Sequence, residues 1–212
     1  METEEVLQIQ GISPKAGVYQ IRLSEGTSFL VRPEYAKGSI DFSRLTEGSL
    51  IGASEKEALL FASSCYRLER EALRYISRAE QTKKGLFQKL HKKGHDRDQI
   101  SRVIQFLENK GLVDDERYAA SYISYRLGRG LYTPRQLLRA LVARGIELAL
   151  ARQVYHSRVS PLQEREMLLR FVQKKGIADF PSSKLKQSLM QAGFRKDLVT
   201  EYLLQKSEKG NL

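Results

Sequence analysis

Apolar side chains recur along most of this chain in one frame. Leu86-Phe87-Gln88-Lys89-Leu90-His91-Lys92-Lys93-Gly94-His95, Leu137-Leu138-Arg139-Ala140-Leu141-Val142-Ala143-Arg144-Gly145-Ile146 and Leu185-Lys186-Gln187-Ser188-Leu189-Met190-Gln191-Ala192-Gly193-Phe194 share it: Leu, three residues, Leu, three residues, Gly, then a larger side chain. Leucines four apart lie on one face of a helix. A glycine just past such a stripe suits the left-handed residue that closes a helix. The glycines stand 51 and 48 residues apart, a threefold repeat of the kind that stacks supersecondary units.

The frame extends both ways. Thr82 and Thr133 precede their first leucine by four, and Ser182 and Ser183 hold a similar place in the third copy; such hydroxyls cap the first helical N–H groups. Pro134 follows Thr133, the favoured place for proline at a helix start. Downstream of the glycines come Ile100, Val103, Ile104 and Leu107; then Leu150, Ala151, Val154 and Tyr155; then Leu198, Val199, Tyr202 and Leu203. Upstream stand Leu73 and Ile76; Tyr122, Ile123 and Leu127; Leu168, Leu169, Phe171 and Val172. Each copy therefore predicts three short helices.

Residues 1–53 follow another pattern. Val18–Leu23 and Ser28–Val31 are β-prone runs flanking Ser24-Glu25-Gly26-Thr27, a hairpin signal with Gly26 free to take a positive φ. Val6, Leu7 and Ile9 predict a further strand, and Phe42 to Ile51 another short extended piece around Gly48. Ser54 opens a helix with Glu57 at capping-box spacing. Apolar positions carry it from Leu59 through Ile76, so it joins the β segment to the first repeat and supplies that repeat's first helix.

Gly111 closes a helix, Asp114 or Asp115 caps the next, and Glu116 suits its positive end. Pro161 marks the start of the third repeat, Asp179–Ser183 a turn, and residues 205–212 a frayed tail. The expected fold is mainly α: three tandem three-helix repeats in an elongated array, preceded by a small β-rich N-terminal module. The expected divisions are 1–53 for the β module, 54–110 for the linking helix and first repeat, 111–159 for the second repeat and 160–212 for the third.

Charge changes this picture from architecture to binding. The 212 residues carry a net +11. Residues 81–212 hold 26 Lys/Arg against 13 Asp/Glu, whereas residues 1–53 hold five against seven. A basic excess confined to the repeats points to a polyanionic partner, nucleic acid or an acidic protein surface; a merely solvated Lys/Arg-rich helical protein is the plainer alternative. The acidic start Met1–Glu5 lacks the basic region of a signal peptide, and the single Cys65 allows no intrachain disulfide, which together fit a cytoplasmic protein.

No catalytic constellation is visible, and the chain reads as a non-enzyme without cofactor or metal. His91 and His95 are four apart, but Gly94 interposes where the helix ends and no further ligand lies nearby in sequence. Nothing resembles a phosphate-binding loop. The basic residues are the candidate partner-binding set: Lys89, Lys92 and Lys93 in the first repeat; Arg126, Arg129, Arg135, Arg139 and Arg144 in the second; Lys184, Lys186, Arg195 and Lys196 in the third. Tyr118, Tyr122, Tyr125 and Tyr132 lie among those of the second repeat, with Tyr122 expected in the core.

Several of these segments resemble the RecX regulators of the RecA recombinase: Ala72–Glu80, Leu86-x3-Leu90-x3-Gly94, Gly111-Leu112-Val113-Asp114-Asp115-Glu116-Arg117-Tyr118-Ala119, and Gly130-x3-Pro134-Arg135-x-Leu137 through Ile146. The likeness spans about residues 66–205 and is strongest in the first two repeats. Gly85 departs from it, standing where the family has a glutamate and weakening its helix by roughly 1 kcal/mol. The resemblance implies three tandem three-helix repeats that bind the RecA–DNA filament in its groove and inhibit recombinase, ATPase and coprotease activity in DNA repair and the SOS response. A filament regulator of this kind is expected to be a monomer with only weak single- or double-stranded DNA binding alone, and no apolar run approaches the ~20 residues of a membrane span. The competing class is a stand-alone DNA- or RNA-binding protein presenting a helix-turn-helix-like repeat.

Overall fold

A computed structural model describes residues 7–15, 17–36, 38–129 and 132–209. The Met1–Glu5 start, Val6, Gly130 of the quoted motif and residues 210–212 of the tail lie outside the described residues. The chain forms two compact units, divided between Val113 and Asp114.

The first unit opens with an antiparallel sheet of order β3-β2-β1-β4, formed by β1 (Leu7–Lys15), β2 (Val18–Leu23), β3 (Ser28–Val31) and β4 (Leu50–Ile51). The β2–β3 hairpin is the one expected, with Gly26 at φ +87°. β1 runs further than its apolar residues predict, through Gly11 and Pro14. Strand β4 pairs with Leu7 and Gln8. Among the described residues no strand pairs with the same edge further along, so Pro14 deprives no neighbour of a ladder hydrogen bond.

Ile9, Ile21, Leu23, Phe29, Val31 and Ile51 project from the sheet into a core shared with helix α1 (Ala53–Ile76). That core continues through Leu86 and Leu90 of α2 (Lys83–Lys92) to Ile100, Val103, Ile104 and Leu107 of α3 (Arg97–Asn109). Arg32 fastens the sheet to the helix. Its Nε and Nη2 donate to the two carboxylate oxygens of Glu69 at 2.8 Å each, and Tyr35 Oη donates to Oε2 at 2.9 Å. Glu69 is 3% exposed. A buried carboxylate needs such partners, since leaving it unpaired costs several kcal/mol.

The second unit holds α4 (Asp115–Gly128), α5 (Pro134–Ala143), α6 (Leu148–Arg158), α7 (Pro161–Lys175), α8 (Ser182–Ala192) and α9 (Lys196–Lys209) around one core. The repeat frame holds in both units. Leu86, Leu90, Leu137, Leu141, Leu185 and Leu189 are all fully buried. Gly94, Gly145 and Gly193 take φ of +86°, +93° and +91°, each just after the end of its helix. The fold class, mainly helical after a small strand module, is the one the pattern predicts.

Capping follows the sequence with three exceptions. Thr82 accepts from Gly85 N at 2.9 Å, Asp114 from Arg117 N at 3.0 Å, and Thr133 exchanges bonds with Gln136. The Ser54/Glu57 box does not form. Helix α1 begins two residues earlier, and Glu55 reaches back to Gly52 N at 3.0 Å. Ser182 and Ser183 lie inside α8, whose cap position is Pro181. The unexpected box is Ser160/Gln163, which precedes and follows the helix-start Pro161. Two further corrections concern α7 and α9. Leu169 is 46% exposed, because the buried stripe of α7 passes through Met167, Leu168 and Val172. Residues 205–209 continue helix α9.

A candidate arginine-rich binding surface

The candidate basic residues fall into settings that their sequence positions do not distinguish. Helix α4 places Tyr118, Tyr122, Tyr125, Arg126 and Arg129 within three turns. Arg126 lies at the centre: its Cζ sits 5.0 Å from the Tyr122 ring, 4.7 Å from Tyr132 and 5.8 Å from Tyr125, and its Nη1 donates to Tyr132 Oη. Its Nε is buried and unpartnered. Arg144, arriving from the end of α5, stacks 4.6 Å above Tyr122 and donates to Ala140 O at 2.8 Å. Arg129 lies 4.6 Å over Tyr125, which is 53% exposed. Tyr118 and Tyr122 stack at 6.4 Å and 11°. Tyr122 is half-buried, with its ring faces taken up by the arginines and Tyr118. Guanidinium on an aromatic face is worth about 0.5–2 kcal/mol according to burial. The stacking holds these guanidinium groups in place, and exposed Arg129 keeps its edge available as a planar donor.

Arg135 and Arg139 part from Arg144. They lie on the other side of α5, along a groove of about 700 Å³ between α5, α6 and the end of α8. Its floor includes Pro134, Leu138, Val142 and Leu148; Arg152 adds to its rim. Val142 and Leu148 are 41% and 45% exposed. Gly193 brings the end of α8 against Arg135, and Arg135 Nη1 donates to Gln191 O at 3.1 Å. Arg195 lies in the same groove but is committed: its Nε donates to Glu164 Oε2 at 2.8 Å, its backbone N to Oε1 at 3.1 Å, and Asp197 stands 3.7 Å away. Glu164 is 2% exposed. Beneath it the Tyr155 hydroxyl is buried without a hydrogen-bond partner. Burial first, then the neighbouring Glu164 charge, pushes that phenol well above its ordinary pKa, with Arg195 opposing.

The lysines of α2 are partly engaged. Lys89 donates to Gln81 Oε1 at 2.6 Å and lies 5.5 Å over Tyr75; Lys93 pairs with Glu71 above the same ring. Lys92, Lys184, Lys186 and Lys196 are exposed. The two histidines do not converge. His95 Nε2 lies 2.9 Å from Glu71 Oε2, while His91 packs beside Phe87. Hydrogen bonding from Lys93, then from His95, holds the Glu71 carboxyl below its ordinary pKa against the cost of its partial burial.

Arg152, Tyr155 and the exposed pair Val142 and Leu148 are the site residues that charge and periodicity passed over. A signal was present. Helix α5 carries Leu138 and Val142 four apart, besides the buried Leu137 and Leu141, so it has more apolar surface than one core-facing stripe needs.

Tandem three-helix units with arginine-bearing faces define a mainly helical repeat protein. Residues 70–107 match the family described as RecX, first three-helix domain. The regulatory protein RecX of Caldanaerobacter subterraneus subsp. tengcongensis is 26% identical over 159 residues, covering 75% of this chain and 80% of that one. That of Treponema pallidum is 27% identical over 151 residues, covering 71% and 92%. In fold, the chain superposes on a crystal structure of regulatory protein RecX with a TM-score of 0.67 at 21% identity, covering 91% and 96%. The chain is thus similar to the RecX family, in its first three-helix domain by the family match and along most of its length by these relatives.

Proposed function

We propose that this protein binds the RecA–DNA filament in its groove and restrains recombinase, ATPase and coprotease activity, acting as a regulator without catalysis of its own. Similarity to a family of regulatory proteins carries this reading. The surface chemistry supports it: the filament offers phosphates and protein carboxylates together, and the second unit holds arginines both on stacked aromatic supports and along an apolar groove. The partner-binding set is weighted accordingly. Arg129, Arg139 and Arg152 present their guanidinium groups, whereas Arg126 is enclosed by tyrosines, and Arg195 and Lys93 are held by carboxylates of this chain.

Among the described residues, no helix is long and apolar enough to cross a membrane. The test is ATP hydrolysis by RecA on single-stranded DNA, titrated with the purified protein. Turnover should fall as the protein is added, and the protein alone should hydrolyse nothing. Unchanged turnover at saturating protein would remove the reading. The second reading, a stand-alone nucleic-acid binder, draws on the Arg126–tyrosine cluster, since guanidinium and exposed rings also suit unstacked bases. It predicts tight binding to naked DNA that RecA does not improve.

A further inference from the structure

The α5–α6–α8 groove differs in chemistry from the Arg126 cluster. Its floor is aliphatic. Val142 and Leu148 expose large apolar side chains to solvent, where isolated apolar groups are common but a lined depression marks an interaction site. Its rim is cationic, and among the described residues no carboxylate pairs with Arg139 or Arg152. The one carboxylate in its lining, Glu164, is buried and already bound by Arg195. Tyr155 supplies a buried hydroxyl that lacks a partner, and a buried hydroxyl without one is costly.

We propose that this groove receives a helical peptide segment of a partner protein that carries aliphatic side chains one turn apart with carboxylates beside them. The aliphatic groups would cover Leu138, Val142 and Leu148, the carboxylates would pair with Arg139 and Arg152, and an oxygen of the segment would accept from Tyr155. Nucleic acid satisfies the rim, and the exposed His156 ring in the lining suits a base, but nucleic acid offers nothing aliphatic to cover Leu138, Val142 and Leu148. The assignment refines the filament-binding reading by naming the chemistry of the protein side of that contact, and it rests on that reading.

The experiment titrates the full-length, isotope-labelled protein with a synthetic Glu/Leu peptide whose leucines stand at i and i+4, following backbone amide shifts by NMR. Parallel titrations use a peptide with glutamine in place of leucine and an oligothymidylate of equal charge. Shifts should concentrate on Leu138, Val142, Leu148 and Tyr155, with the glutamine peptide at least tenfold weaker. Leu148→Asp and the double variant Arg139→Glu with Arg152→Glu should each weaken binding at least tenfold while keeping native spectra. Tyr155→Phe, which removes only the hydroxyl, should weaken it severalfold.

The assignment falls if no saturable shift appears by about 1 mM peptide. It falls too if the glutamine peptide binds equally well, or if the oligonucleotide occupies the groove more tightly. The same variants are assayed against RecA ATPase. A wild-type protein that ignores the peptide but still suppresses RecA overturns the groove assignment alone. One that takes the peptide in the groove but leaves RecA untouched supports the groove and removes the filament reading.

Discussion

A Cβ atom built on Gly193 would stand 2.9 Å from the backbone nitrogen of Arg135 and 3.0 Å from its Cβ. The end of α8 therefore meets the start of α5 at a distance only glycine allows. Gly193 also holds φ +91°, so two constraints coincide there. At Gly94 the φ of +86° is similar, but a Cβ would meet nothing within 4 Å.

Alanine should separate the two constraints. Gly94→Ala carries the left-handed penalty alone, about 1–2 kcal/mol. Gly193→Ala adds overpacking against backbone, typically about 1–3 kcal/mol more. Urea unfolding of the two variants should show Gly193→Ala as clearly the more destabilised. Equal losses would mean that α8 and α5 do not meet as closely as 2.9 Å.

Leu90, Leu141 and Leu189 are fully buried at equivalent places in the three copies. Each changed singly to Ala should lose about 2–5 kcal/mol through lost burial and the cavity left behind. Three unchanged melting curves would deny the repeat frame.

The leucine frame was legible because burial has the same 3.6-residue period as the helix, and nothing competes with it. The caps at Thr82, Thr133 and Asp114 were legible because capping is local. Ser54 and Ser182 misled because the same residue types suit the first turn of a helix as well as the cap, and sequence does not mark which. The binding surface was only half legible. Charge gave the arginines but not their neighbours. Arg135, Arg139 and Arg144 look like one patch in sequence, yet Arg144 turns onto Tyr122 while the other two face the groove. Glu164 and Glu69 carry no sequence sign that they are buried; their partners Arg195 and Arg32 come from 31 and 37 residues away.

Arg32→Ala should therefore cost more than a surface ion pair. It leaves Glu69 charged, buried and short of two hydrogen bonds, with an expected loss of about 3–5 kcal/mol. A double variant, Arg32→Met with Glu69→Met, should recover much of that. Thermal melts of the single and double variants decide it: a double variant no better than Arg32→Ala would show that the arginine acts by packing on Phe106 and Tyr66 instead.

Burial pushes the Cys65 thiol up to about 12 from an ordinary value near 9. At pH 8 the native protein should resist iodoacetamide, and the unfolded chain should react. The sign for stability follows from the raised pKa. The thiol's contribution is full below about pH 9 and is lost as pH climbs toward about 12, because the unfolded chain sheds its proton first. Cys65→Ala should flatten that part of the stability profile. Prompt alkylation of the native protein at pH 8 would contradict the fully buried position.

The last prediction separates the two arginine surfaces by salt. Contacts to phosphate release counterions, so their affinity falls steeply with ionic strength, whereas a groove that also buries aliphatic surface keeps part of its affinity in salt. Arg129 sits on exposed Tyr125, so Arg129→Glu should leave the fold intact, removing one cation–π contact worth about 0.5–1 kcal/mol. Arg139→Glu with Arg152→Glu disturbs no hydrogen bond or ion pair among the described residues. Measured by co-sedimentation with RecA–DNA filaments, both variants should bind at least tenfold more weakly at low salt, about 1.4 kcal/mol. Arg129→Glu should also reduce the slope of log affinity against log salt, and the groove variant should change it less. If both variants fold and neither affects filament binding, the contact lies on neither arginine surface, and the exposed Lys92 of α2 and Lys184, Lys186 and Lys196 of the second unit become the next positions to reverse.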